Sequence, residues 1–133
     1  MAKIEKTDQQ WRESLTPEQY RVLRQAGTEY PGSGEYLEHE EIGSYHCVGC
    51  GNELFKSEGK YHSGCGWPAF WTAAAGDKVR LLEDRTHGML RVEVRCAQCD
   101  SHLGHVFEDG PEPTGQRYCI NSVCLQFRPA QAL

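Results

Sequence analysis

Two Cys-x-x-Cys pairs constrain the fold of this chain more than any other feature of its sequence. Cys47 and Cys50 form the first pair, Cys96 and Cys99 form the second, and 45 residues lie between the pairs. Each pair follows a strand-like run and precedes a turn-forming residue, so each can form a knuckle that directs two thiolates to one point. Four thiolates complete a tetrahedral site of the kind that zinc prefers. The spacing therefore predicts a zinc site that joins two distant hairpins.

Two other interpretations of these pairs remain open at this point. One pair could be a redox motif of the thioredoxin kind, or the cysteines could be inert and buried. A thioredoxin-like motif lies where a strand leads into a helix, and no helical period follows either pair. Zinc is therefore favoured. A closed four-thiolate site has no open coordination position, so the metal would contribute folding free energy rather than catalysis.

Length, charge and composition argue against several classes of protein. The chain has 133 residues and a net charge of −5. We expect a single domain over residues 1–133, with its core at about 11–128. The negative charge disfavours nucleic-acid binding, and no apolar run approaches the ~20 residues of a membrane span. No secretory signal is evident, so we expect a cytoplasmic protein, in which reduced cysteines serve as metal ligands or redox groups.

Cys119 is the candidate nucleophile among the three remaining cysteines. In a strand, period-2 alternation places Arg117, Cys119 and Asn121 on one face, and Tyr118 and Ile120 on the other. A neighbouring guanidinium favours the thiolate form of a cysteine. The alternative is a small buried hydrophobic residue, for which apolar neighbours two positions away would be expected.

Cys65 and Cys124 have different settings. Cys65 lies in a loop with two glycines and Trp67, and such backbone freedom suits a thiol that moves to meet another sulfur. The alternative is a structural cysteine in a tight turn. Cys124 is five residues beyond Cys119, so in an unbroken strand it faces the opposite way and is expected to pack inside.

Two histidines follow the second knuckle directly. His102 and His105 lie close to the metal pair in a chain with a candidate nucleophile, which makes them candidates for acid catalysis. Alternatively, one of them replaces a cysteine as a zinc ligand. The other four histidines have no such setting and receive no role: His39, His46, His62 and His87.

The N-terminal third carries helix signals, and the rest carries strand signals. Capping boxes predict short helices that follow Thr7 and Thr16, with Gly27 as the stop of the second. Residues 28–43 are expected to form a loop over the core. Strict alternation of apolar and charged residues predicts a half-buried strand over 90–95, and a second strand is expected from 116 to about 127.

Taken together, these motifs resemble one enzyme family over nearly the whole chain, about residues 11–128. The segments that occur in the family's order are Cys47-x-x-Cys50, Gly64-Cys65-Gly66-Trp67-Pro68, Cys96-x-x-Cys99, His102-Leu103-Gly104-His105-Val106-Phe107, Asp109-Gly110-Pro111 and Arg117-Tyr118-Cys119-Ile120-Asn121-Ser122. This combination is similar to the B-type peptide methionine sulfoxide reductases, which act on the R epimer. The resemblance implies a mainly β fold, with two antiparallel sheets in an open, barrel-like tent, short N-terminal helices and a four-cysteine zinc site.

The resemblance also implies a reaction. Cys119 would attack the sulfoxide sulfur and be left as a sulfenic acid, and Cys65 would condense with it to form a disulfide that thioredoxin reduces. Oxidised methionine in proteins or peptides would be the substrate. The family's other site residues match Arg117, Asn121 and both histidines, and Trp67 matches the aromatic residue that contacts the substrate's methyl group.

Four positions depart from the family's pattern: Ala69 replaces serine, His62 replaces aspartate, Glu108 replaces proline, and Cys124 replaces a small non-thiol residue. Cys124 would be an alternative resolving thiol if its strand bends. Two rival functions also remain open, namely a zinc-binding interaction module without catalysis and a redox-sensing zinc switch.

Overall fold

The structure is a computed structural model that describes residues 4–130. Those residues form two α-helices, α1 (Asp8–Ser14) and α2 (Pro17–Gln25), and nine β-strands. In chain order, the strands β1 to β9 are Gly43–Cys47, Glu53–Lys56, Lys60–Tyr61, Ala69–Phe70, Val79–Asp84, Arg91–Cys96, His102–Phe107, Arg117–Ile120 and Leu125–Pro129. Neither helix is of the length and apolar character that crossing a bilayer requires.

Both helices begin as the sequence predicts. The Thr7 hydroxyl accepts a hydrogen bond from the Gln10 backbone N–H, and Thr16 and Gln19 repeat this arrangement at the start of α2. Each glutamine side chain bonds back to the backbone N–H of its threonine, which completes the capping box. Local sequence therefore determines where these helices start.

Helix α2 ends at Gln25, just before the predicted stop at Gly27, but the left-handed residue is the one that precedes this glycine. Ala26, and not Gly27, adopts the left-handed conformation, with φ at 54°. The Gly27 N–H donates to the Arg21 carbonyl, and a Cβ on Gly27 would lie 2.9 Å from that oxygen. Glycine is therefore needed at position 27 for close approach to the helix end rather than for a positive φ.

The strands form two antiparallel sheets, which confirms the expected mainly β class. A three-stranded sheet has the order β2-β1-β9, and a six-stranded sheet has the order β3-β4-β8-β7-β6-β5. The strand expected over 90–95 is present as β6 and lies between β5 and β7. The core lies where aromatic side chains of both sheets meet: Phe55 from β2 stacks on Phe70 from β4, with ring centroids 4.4 Å apart.

The long strand expected from 116 to about 127 is wrong as a single element. The chain forms β8, turns through a short 3₁₀ segment at Ser122–Cys124, and enters the other sheet as β9. Ile120, Asn121 and Ser122 are buried in succession, which a strand with one solvent face does not allow. The break exists because the chain passes from one sheet to the other at this point.

Candidate active site and metal centre

Four cysteine sulfurs converge where strands β1 and β6 end. The ligand atoms of Cys47, Cys50, Cys96 and Cys99 all lie within 4.8 Å of one another. The Sγ atoms of Cys47 and Cys99 are 3.7 Å apart, and those of Cys50 and Cys96 are 3.6 Å apart. A tetrahedral zinc site with Zn–S bonds of about 2.3 Å requires sulfur separations of about 3.8 Å. The four cysteines are therefore placed to hold a metal ion.

The two knuckles have the same backbone construction. Cys47 ends β1 and Cys96 ends β6, and the residue four positions after each donates its N–H back to the cysteine carbonyl at 2.8 Å. These donors are Gly51 and Asp100, and both have positive φ angles, 84° and 64°. Glycine and aspartate are among the residues that tolerate this conformation. The turn formers noted in the sequence thus fulfil the expected role.

Two polar residues that the sequence analysis overlooked also contact the sulfur cluster. The Asn52 amide donates to Cys96 Sγ at 3.5 Å, and the Ser101 hydroxyl lies 3.1 Å from Cys99 Sγ. Each follows the last cysteine of a knuckle by two residues, and this spacing was the signal available in the sequence. Such partners orient the sulfur ligands of a metal site.

A second candidate site, separate from the cysteine cluster, lies on one face of the six-stranded sheet, where a row of paired residues crosses the strands. Strand pairing sets Tyr61 opposite Ala69, Ala69 opposite Cys119, and Cys119 opposite His105. On the next strand, Glu93 lies opposite His105. Directly opposed residues in antiparallel strands share a face. The candidate nucleophile and one candidate acid are therefore neighbours on one sheet surface.

The second free thiol reaches this row from a loop. Cys65 Sγ lies 3.0 Å from Cys119 Sγ, and both residues are half-buried. The loop turns through Gly64 and Gly66, whose φ angles are 79° and 97°. These are backbone conformations that glycine adopts without strain. The glycines that suggested a movable thiol are thus the residues that bring Cys65 to Cys119.

Cys124 is inside the core, as expected, although its strand is broken. It has 0% exposure, and its thiol donates to the backbone carbonyl of His102 at 3.3 Å. Burial raises the pKa of the Cys124 thiol well above its usual value. A thiol in this position is unreactive.

A cavity of about 300 Å³ opens over the two half-buried cysteines. Its lining residues are Thr28, Cys65, Trp67, Arg91, Gly104, His105, Phe107, Arg117, Cys119 and Asn121. All the site residues proposed from the sequence except His102 and the four metal-site cysteines are therefore brought to one cavity. Four further residues line the cavity: Thr28, Arg91, Gly104 and Phe107. Gly104 and Phe107 lie within the motif that begins at His102, whereas Thr28 and Arg91 had no distinguishing signal in the sequence.

The two cavity cysteines change each other's acidity. The contact between their sulfurs lowers the pKa of Cys65 to about 5 and raises that of Cys119, and burial adds to the increase at Cys119. Arg117 acts on the Cys119 thiol in the opposite direction and lowers its pKa. Two coupled thiols at this distance lose their first proton as a pair. The arrangement therefore supports one thiolate shared between the two sulfurs at neutral pH.

Arg117 is fixed at the edge of the cavity. Its guanidinium donates two hydrogen bonds to the Asp109 carboxylate, at 2.8 and 3.1 Å. It also lies over the Phe107 ring, 4.5 Å from the centroid. A two-bond contact and a stacked ring leave the guanidinium little freedom. It can therefore present a steady positive charge to the thiols.

Each candidate histidine is held by a carboxylate that the sequence analysis did not identify. His105 Nε2 lies 2.7 Å from Asp84, and the hydrogen bond lowers the pKa of Asp84. His102 Nδ1 lies 2.7 Å from Glu93, and burial lowers the pKa of His102. The rings of the two histidines are 5.5 Å apart. His105 faces the cavity, and His102 lies behind it.

The side chains of Asn121 and Trp67 both form hydrogen bonds with the backbone of Glu29. The Asn121 amide oxygen accepts from the Glu29 backbone N–H at 2.9 Å, while its amide nitrogen donates to the Leu103 carbonyl at 2.9 Å. The Trp67 indole N–H donates to the Glu29 carbonyl at 3.1 Å. These two cavity walls are therefore anchored through the loop that follows α2.

Comparison with known proteins agrees with this site. Residues 15–129 match the SelR domain family. Three relatives share the description peptide methionine sulfoxide reductase MsrB. The protein of Hahella chejuensis is 56% identical over 130 residues, which is 98% of this chain and 94% of the relative. That of Methanosarcina mazei is 60% identical over 125 residues, covering 94% and 89%. That of Pseudomonas putida strain W619 is 55% identical over 129 residues, covering 97% of both.

At this similarity over nearly its whole length, and with a paired-thiol cavity beside a four-cysteine centre, the chain belongs to the MsrB family of peptide methionine sulfoxide reductases.

Proposed function

We propose that this chain reduces methionine-R-sulfoxide in peptides and proteins, with Cys119 as the nucleophile and Cys65 as the resolving thiol. The observation that carries the proposal is the 3.0 Å separation of these two sulfurs inside a cavity that His105 and Trp67 also line. The names of the relatives support the reaction class.

The cavity offers the substrate an apolar wall and a wall of hydrogen-bond donors. Trp67 and Phe107 offer apolar surface to the methyl group, and Arg117 and His105 offer donors to the sulfoxide oxygen. The remaining substituent of the sulfur leads outward to the peptide. Three different contacts at fixed positions distinguish one sulfur configuration from its mirror image, which supports selectivity for one epimer.

In the first chemical step, the Cys119 sulfur attacks the sulfoxide sulfur, and the oxygen passes to Cys119. The sulfoxide is reduced to methionine, and the thiol is oxidised by two electrons to a sulfenic acid. We assign the proton that the oxygen needs to His105, because it lies opposite Cys119 and faces the cavity. The carboxylate of Asp84 orients that ring. We assign His102, with Glu93 behind it, to supporting the ring of His105.

Cys65 must move aside for this attack, because its sulfur occupies the space next to Cys119. Its departure removes the contact that raises the pKa of Cys119 and leaves the influence of Arg117. Gly64 and Gly66 give the loop the freedom that this movement needs.

In the second step, the Cys65 thiolate attacks the sulfenic sulfur, the hydroxyl group leaves as water after protonation, and a disulfide forms. The lowered pKa of Cys65, about 5, supports a thiolate in this role. The dithiol of thioredoxin then reduces the disulfide by two exchange steps and is itself oxidised. Cys124 is not assigned the resolving role, because its thiol is buried in the core and donates a hydrogen bond to the His102 carbonyl.

We propose zinc as the metal of the four-cysteine centre. Four sulfur donors at tetrahedral spacing fit zinc. When bound, the ion would contribute folding free energy and join the two knuckles. A cytoplasmic location is consistent with this chemistry, because a reducing compartment keeps both the metal ligands and the resolving pair available as thiols.

The test offers separate R and S epimers of a methionine-sulfoxide peptide to the metal-loaded protein, with dithiothreitol as reductant. Chromatography of the products should show methionine from the R epimer alone. The Cys119→Ser protein should give none. Consumption of the S epimer, or multiple turnovers by the variant, would contradict the proposal.

A further inference from the structure

We infer that Glu29 is a positioning residue for the cavity, and that its buried carboxylate holds Trp67 and Asn121 in the geometry that binds the sulfoxide. The inference rests on the proposed function for its kinetic consequence. Its structural part stands on the contacts of Glu29 alone.

Glu29 is an unusual residue in its surroundings. It is 2% exposed. One carboxylate oxygen, Oε1, accepts from the Val123 backbone N–H at 3.0 Å, while Oε2 is buried without a hydrogen-bond partner among residues 4–130. Burying a carboxylate is costly unless its charge is compensated. The hydrogen bond to Oε1 gives this buried side chain a specific partner, which an apolar side chain of the same size would lack.

The backbone of Glu29 contacts two cavity walls at once. Its N–H donates to the Asn121 amide oxygen, and its carbonyl accepts from the Trp67 indole. Both partners come later in the chain: Trp67 is 38 residues and Asn121 is 92 residues beyond Glu29. Any displacement of Glu29 therefore moves both walls together.

The side chain determines where that backbone lies. Its Oε1 accepts the backbone N–H of Val123, which lies in the 3₁₀ segment Ser122–Cys124. This segment follows Asn121 directly. The carboxylate therefore fixes the loop to the same stretch of chain that carries the Asn121 side chain.

Neighbouring residues of the same loop cover the Glu29 carboxylate. A Cβ on Gly34 would lie 2.5 Å from Glu29 Oε2, so the chain passes directly over the carboxylate. The Gly32 N–H donates to the Gly66 carbonyl at 2.8 Å. The segment anchored by Glu29 thus also contacts the loop that carries Cys65.

The experiment compares three substitutions of Glu29 with one control. Glu29→Ala removes the acceptor, Glu29→Asp shortens its reach by one methylene group, and Glu29→Gln keeps an acceptor of the same length. The control is Tyr36→Phe, which removes the hydroxyl that accepts from Phe127 N–H at 3.1 Å. Tyr36 belongs to the same loop and does not line the cavity, so the control loosens the loop without touching the site.

The kinetic readout is the KM for a methionine-R-sulfoxide peptide and the rate of a single turnover. We expect Glu29→Ala and Glu29→Asp to raise KM by roughly tenfold with a smaller effect on the single-turnover rate. Glu29→Gln and Tyr36→Phe should keep the wild-type KM. An equal rise in KM for Tyr36→Phe would overturn the inference, because general loosening of the loop would then explain the effect.

A second readout does not depend on activity. Hydrogen exchange of the Trp67 indole N–H, followed by NMR, should be slow in the wild-type and Glu29→Gln proteins and about tenfold faster in Glu29→Asp and Glu29→Ala. The indoles of Trp11 and Trp71 should not change. Equal protection of Trp67 in all variants would refute the positioning role.

If the wild-type protein fails to reduce the sulfoxide, the proposed function is wrong and the indole exchange still decides this inference. If Glu29→Ala does not fold, the Asp and Gln variants provide the comparison.

Discussion

At the scale of single residues, the three cysteines outside the metal centre differ in surroundings more than in sequence context. Cys65 and Cys119 are half-buried at a cavity and share a contact of 3.0 Å, while Cys124 is bonded inside the core. Thiol reactivity depends on ionisation and access, so only the first two are placed to react.

The first prediction separates the roles of these thiols. Cys65→Ser should reduce about one sulfoxide per chain and then stop with thioredoxin as reductant, because the sulfenic acid has no resolving partner. Cys124→Ser is the matched control and should turn over repeatedly. Quantifying methionine per protein in a rapid-mixing experiment measures both. Sustained thioredoxin-dependent turnover by Cys65→Ser would rule out its resolving role.

The second prediction concerns the acidity of Cys65. The hydrogen bond from Cys119 lowers its pKa to about 5, so alkylation of Cys65 should stay nearly constant above pH 6 and fall as the pH drops through about 5. Cys119→Ala removes the donor, so the pKa should rise toward the usual value of about 8.5. Alkylation of Cys65 at pH 6 should then slow by about tenfold or more, measured by mass spectrometry of the modified peptide. An unchanged pH profile would show that Cys119 does not set this pKa.

At the scale of elements, the register between β7 and β8 decides which groups meet. His105 is opposite Cys119, and Gly104 is opposite Ile120. A Cβ on Gly104 would overlap the carbonyl oxygen of Cys119 and lie 3.1 Å from the Cα of Ile120. A glycine is needed here because two strands approach closely at the wall of the cavity.

The third prediction tests this approach. Gly104→Ala should force β7 and β8 apart, destabilise the fold by about 1–3 kcal/mol and slow the single turnover. Gly76→Ala is the control, because a Cβ on Gly76 meets no atom within 4 Å among the described residues. Chemical denaturation and single-turnover rates measure the two effects. Equal stability and rate for both variants would show that the strands can accommodate the added methyl group.

At the scale of the whole molecule, the four-cysteine centre joins the two sheets. One knuckle extends from β1 of the three-stranded sheet, and the other extends from β6 of the six-stranded sheet. Helix α2 packs beside the centre, where Arg24 donates to the Cys99 carbonyl at 3.0 Å and to the Ser101 hydroxyl at 3.1 Å. A metal ion held there would connect strands that lie far apart in the sequence.

The fourth prediction follows from this position. Cys96→Ser should lose metal and folded structure together, since the remaining sulfurs no longer complete the tetrahedral site. Metal content by atomic emission and far-UV circular dichroism, measured on the same sample, test this. A folded variant without metal would contradict the structural role. Metal that stays bound to the wild-type protein through many turnovers would also exclude the zinc-switch alternative.

Features determined by near neighbours could be predicted from the sequence. The capping boxes of Thr7 and Thr16 involve residues three positions away, and the turns after each Cys-x-x-Cys pair depend on residues four positions away. The face that carries Cys119 followed from alternation within its own strand. The boundaries of the domain, given as 1–133, stay a prediction.

Tertiary structure alone decided the rest. The break between β8 and β9, the pairing of His105 with Asp84 and of His102 with Glu93, and the burial of Glu29 all depend on where separate segments meet. Glu29 and Val123 are 94 residues apart in the chain, and neither residue type indicates the other. The amino-acid order specifies which side chains each strand and turn presents. Only packing of the two sheets and the loop specifies which of them touch, because a contact between distant segments depends on the folding of every element between them.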